Sequence, residues 1–123
     1  MAQTELDLLL RVIRGELPLR SLGAIGVTVC IEGSRCRVDN PRGLQPQARV
    51  PDLAQGVLAH RHDPVALREW ALFIQAADIE VDAPRHPAER AVLAALWDAA
   101  CLNPLGAETV AALERAARET LAG

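Results

Sequence analysis

Lysine and tyrosine are both missing from this chain of 123 residues, and only Trp70, Phe73 and Trp97 are aromatic. With no lysine there is no Schiff-base chemistry on an ε-amine and no phosphate-cradling P-loop. With so few aromatics, a core must be filled by Leu, Val, Ile and Ala, which favours helices packed closely through alanine. No apolar run approaches the ~20 residues that cross a bilayer, so no membrane partner is expected. The N-terminal MAQTELDLLL carries acids where a secretory leader needs positive charge. The 3 cysteines show no CxxC spacing, and a reducing, cytoplasmic setting is the expectation.

Charge is unevenly spread. The net value is −3. Residues 1–50 hold seven arginines against five acids, and residues 51–123 hold six against eleven. No basic footprint dominates, so nucleic acid is not an expected partner. One domain spanning 1–123 fits the length and the short linkers.

The clearest pattern is VTVCIEGSRCRVD, residues 27–39. A two-residue turn at Gly33-Ser34 sets Glu32 opposite Arg35, Cys30 opposite Arg37 and Thr28 opposite Asp39. The other face then holds Val27, Val29, Ile31, Cys36 and Val38, all able to go dry. A lone hairpin is not stable in water, so this face must lie on helices.

The remaining segments read as about five helices. Thr4 with Asp7 imitates a capping box, Gly15 supplies a stop, and Leu6, Leu9, Leu10 and Ile13 share a face with Leu8 and Val12 beside it. Residues 18–23 suggest a short turn, and 40–50 read as a surface loop. A helix opens near Pro51-Asp52 and runs to about His60. Asp63 as N-cap with Pro64 behind it starts the strongest helix, 64–77. Its Ala66, Leu67, Trp70, Ala71, Phe73, Ile74 and Ala77 form one arc, with Arg68, Glu69 and Gln75 opposite. Residues 78–82 alternate like a short extended segment. His86-Pro87 begins a helix with a buried stripe of Val92, Leu93, Leu96, Trp97 and Ala100, ended by Asn103-Pro104. The last helix, about 107–121, has a narrow stripe of Val110, Leu113, Ala117 and Leu121, which points to the periphery. The expected class is α+β, mostly helical, with one antiparallel hairpin.

Few residues offer chemistry. Cys30, on the wet face among Arg35 and Arg37, is the candidate reactive thiol, because guanidinium charge favours thiolate. Cys36 and Cys101 read as packing residues, and a Cys30–Cys36 bridge is rejected because it requires an odd-length turn. His60, His62 and His86 lack the spacing of a zinc finger or of HExxH. Asp78, Glu80, Asp82 and Glu89 fall on calcium-loop positions, but Ala83 stands where glycine makes the turn and Pro84 follows it. No metal or cofactor is expected, and no catalytic residue is assigned. Val65 and Leu72, seven residues apart on the polar side of the Trp70 helix, either cover the hairpin or mark a contact surface. The rim Glu32, Arg35 and Arg37 suits polar contacts around such a surface.

The segments DLAQGVLA (52–59), DPVALREWA (63–71) and LWDA (96–99) resemble a pattern of small uncharacterised bacterial proteins. No activity follows from that resemblance. The expected function is a non-catalytic protein–protein interaction or regulatory domain, docking to another protein or to itself. The alternatives are a small enzyme joining His60 or His86 to Asp63 or Glu69, and a toxin-neutralising immunity protein by analogy of size and charge.

Overall fold

The computed structural model describes residues 2–102 and 105–122. Asp63 and Pro64 start α3 (Pro64–Ala76), and the Asp63 carboxylate accepts the Ala66 N–H at 3.2 Å. That bond satisfies one of the donors left open at a helix start. α2 (Val50–Ala59) opens one residue earlier than expected and is capped by Asp52, which accepts the Arg49 N–H at 2.8 Å. The same carboxylate holds Arg14 Nε at 2.8 Å and so fastens α1 (Ala2–Ile13) to α2.

Gly15, at φ 77°, ends α1 as expected. Thr4, however, lies inside that helix and not at its cap. The buried line of α1 runs through Leu9, Val12 and Ile13, one position round from the expected face. Beyond α1, a 3₁₀ helix spans Leu19–Ile25, longer than the single turn expected, and leads into the hairpin.

The centre of the core is Trp70, whose indole N–H donates to the Ile13 carbonyl at 3.1 Å. Gly56 makes this possible: a Cβ there would collide with the Trp70 ring and the Ile13 carbonyl. α4 (Pro87–Cys101) and α5 (Ala107–Ala122) complete the helical layer. Far from being peripheral, α5 packs on both α2 and α4. Leu113, Ala116, Ala117 and Thr120 are buried there. Small alanines let the backbones approach closely, which a count of large apolar residues misses. Asn103 and Pro104, expected to end α4, lie outside the described residues.

Strands β1 (Thr28–Glu32) and β2 (Arg35–Asp39) form the antiparallel hairpin. A second, parallel pair joins β3 (Gln47–Ala48) to β4 (Glu80–Val81). Residues 40–50 are therefore not simply a surface loop: Leu44, Pro46 and Ala48 are buried. Asp78 and Asp82 accept from Gln45 at 3.1 Å and Gln47 at 3.0 Å, which spends these carboxylates on tying the two segments together. Glu89 is buried and accepts the Arg85 N–H at 3.3 Å. The four calcium-template acids thus do not converge. No helix among the described residues is long and apolar enough to cross a membrane.

Candidate protein-docking surface

Gly33, at φ 60°, occupies the first central position of the hairpin turn, the conformation that a two-residue primed turn demands there. The resulting register matches the sequence reading pair for pair: Thr28 with Asp39, Val29 with Val38, Cys30 with Arg37, Ile31 with Cys36, and Glu32 with Arg35. Thr28, Cys30, Glu32, Arg35, Arg37 and Asp39 are exposed, while Val29, Ile31, Cys36 and Val38 are half-buried. Of the expected dry face only Val27 is fully buried.

The hairpin rests on the side of α3 that appears polar in sequence. Leu72, at 4% exposure, is buried on that side and drops out of any exposed surface; Val65, one helical face-repeat earlier, stays 69% exposed. Between them Arg68 is nearly covered. Its Nη2 donates to the Gly33 carbonyl at 2.7 Å and to Ser34 Oγ at 3.2 Å, and its Nε donates to the Leu102 carbonyl at 2.6 Å. One guanidinium therefore pins the hairpin tip to the end of α4. Sequence reasoning passed over this residue, although an arginine flanked by Val65 and Leu72 at helical spacing signals a covered face.

Two hollows flank the ribbon. Cys30, Glu32, Arg35, Arg37 and Cys36 line a shallow one of about 510 Å³ on the wet face. The structure thus gathers four of the six expected wet-face residues, Cys30, Glu32, Arg35 and Arg37, around one hollow. Arg37 Nε also meets Asp39 at 3.2 Å. The other hollow, about 460 Å³, runs beside β1 over Val27, Val29, Ile31 and Leu19, with Arg20 and Glu69 on its walls.

All three cysteines are free. Burial pushes the Cys36 thiol up, and nearby Cys30 adds to that. Cys101 is exposed and not a packing residue, since it lies on the outer side of the last turn of α4. His60 lies against Trp70 with ring centroids 5.8 Å apart. Burial lowers its pKa, and Asp63 partly opposes the shift. None of the hollows described contains a histidine. Among the described residues no three His, Cys, Asp or Glu side chains cluster to hold a metal ion.

A second exposed apolar site was missed. Trp97, expected in the buried stripe of α4, is 65% exposed, because Val92, Leu96 and Ala99 centre the buried line and leave it at the margin. Leu102 is also exposed, beside a hollow shared with Asp98, Cys101 and Glu108. Comparison with protein-family models, curated proteins and solved structures finds no match to this chain.

Proposed function

We propose that this chain is a non-catalytic protein-interaction domain and that the β1–β2 hairpin is its contacting element. The observation supporting this reading is the incomplete cover of the ribbon: Val29, Ile31, Cys36 and Val38 are only half-buried, and Val29 and Ile31 line an open hollow. Apolar surface with Arg20 and Glu69 on the walls of its hollow, backed by Glu32, Arg35 and Arg37 on the opposite face of the ribbon, has the composition of a docking patch, with dry contacts inside and polar ones around them. The segments at 52–59, 63–71 and 96–99 favour a place among small cytoplasmic bacterial proteins, a setting that suits a regulatory partner.

The test compares the wild-type chain with an R35E/R37E variant. Affinity capture followed by mass spectrometry, together with light scattering of the purified chain, reads the partners. A stoichiometric complex, with self or with an identified second protein, that the double variant loses supports the reading. A strict monomer with no hairpin-dependent partner contradicts it.

A further inference from the structure

In a two-residue hairpin the pair closing the turn exchanges both main-chain hydrogen bonds, and the pattern alternates from there. Glu32–Arg35, Cys30–Arg37 and Thr28–Asp39 are thus the bonded pairs of the observed register. The N–H and C=O groups of Val29 and Ile31 consequently point away from β2, out of the free edge of β1. No hydrogen bond joins those groups to any other described part of the chain. This edge runs along the apolar hollow that Val27, Val29, Ile31 and Leu19 line.

We propose that the edge of β1 pairs antiparallel with β1 of a second copy of this chain, centred on Cys30, to give a four-stranded sheet. The inference rests on the docking reading above and names its partner. Only this centring overlaps all five residues of β1. It sets Val29 opposite Ile31 of the second copy as a bonded pair and Thr28 opposite Glu32. Cys30 meets its own counterpart in a non-bonded pair. No like charges face each other, and the apolar side chains of both copies continue across one face beside the hollow. Arg20 and Glu69, on the walls of that hollow, have no ion-pair partner in the described residues and remain available to the incoming copy.

The same operation on β2 sets Arg37 against Arg37, a repulsion that flanking Arg35–Asp39 pairs offset only in part. Charged side chains are the usual protection of an edge strand, and β2 carries three of them to the single Glu32 of β1. The two edges of this ribbon therefore differ in kind: β2 repels a copy of itself and β1 accepts one.

Directly opposed residues of a non-bonded pair sit about 4.5 Å apart at Cα, within the span of a disulfide. That geometry supplies the test, on the full chain. In reducing buffer, sedimentation equilibrium should show a mass rising with concentration from 13.2 kDa toward twice that value. Cys30→Arg, at an exposed position, should leave the circular dichroism unchanged and abolish the rise. Diamide removes two protons and two electrons from a pair of thiols, forming the S–S bond while it becomes the hydrazine. It should trap a covalent dimer of wild type, of Cys36→Ala and of Cys101→Ala, and none of Cys30→Ser.

A chain still monomeric at about 1 mM, a dimer indifferent to Cys30→Arg, or a bridge through Cys101 would each overturn the pairing. A monomer that keeps a heterologous partner sensitive to R35E/R37E would overturn the dimer and leave the docking reading standing.

Discussion

The two sides of α3 are packed to different standards. On one, Trp70 and Phe73 are 1% and 0% exposed, and the indole N–H is spent on a backbone carbonyl of α1. On the other, Leu72 is buried beneath a ribbon whose own apolar face is only half covered, and a single guanidinium secures its tip. Close packing on the first side makes opening it equivalent to unfolding the chain. Sparse packing on the second gives the hairpin a lower opening free energy, the property from which mobile and binding segments are drawn. The helix is a divider between a stable scaffold and an adaptable surface.

Substitutions sharpen or break this contrast in graded order. Trp70→Ala should cost about 3–5 kcal/mol in urea unfolding, because it empties a large core volume and strands the Ile13 carbonyl. Arg68→Ala should cost about 1.5–3 kcal/mol, the range of buried charge-assisted hydrogen bonds. Its loss should appear first as faster amide exchange in β1 and β2. If all amides accelerate equally, the hairpin is no separate unit. Asp63→Ala should lower stability by about 1 kcal/mol through loss of the α3 cap, leaving the hairpin untouched.

His60 adds a pH effect on the scaffold side. Its pKa in the folded chain lies below the ordinary 6.5, so the unfolded state takes up the proton first. Stability should therefore fall as pH drops below 6.5 toward the lower folded value, and His60→Gln should flatten that slope. The smallest effect belongs to Trp97→Ser, within about 0.5 kcal/mol, because the side chain is already in water. A large loss there would show that α4 buries more than its inner line.

The hairpin register was legible because a two-residue turn fixes which side chains share a face, and an error of one residue would invert all of them. The start of α3 was legible because Asp63 and Pro64 act locally. What covers a helix face was not. Helical angle placed Arg68 and Leu72 together and offered the ribbon as one of two covers for Leu72, without choosing between it and a partner. Pairing of Ala48 with Val81 joins segments far apart in sequence through two residues each, too short to leave a periodic signal. Alanine hid the central place of α5, since Ala116 and Ala117 contribute close approach in place of bulk. Trp97 was misplaced by a single helical step, enough to move a side chain from core to margin. The exposed positions of Cys30, Glu32, Arg35 and Arg37 followed from the turn alone, and Leu72 takes the hairpin-covering one of its two expected roles.

Residue-resolved amide exchange on the dilute chain tests this division most directly. The Cys30 and Arg37 amides, bonded only within the ribbon, should exchange through a local opening that costs less than global unfolding and is insensitive to low urea. The Phe73 amide should exchange only with the whole molecule. Equal protection at Cys30, Arg37 and Phe73 would make the hairpin part of the scaffold and contradict the account.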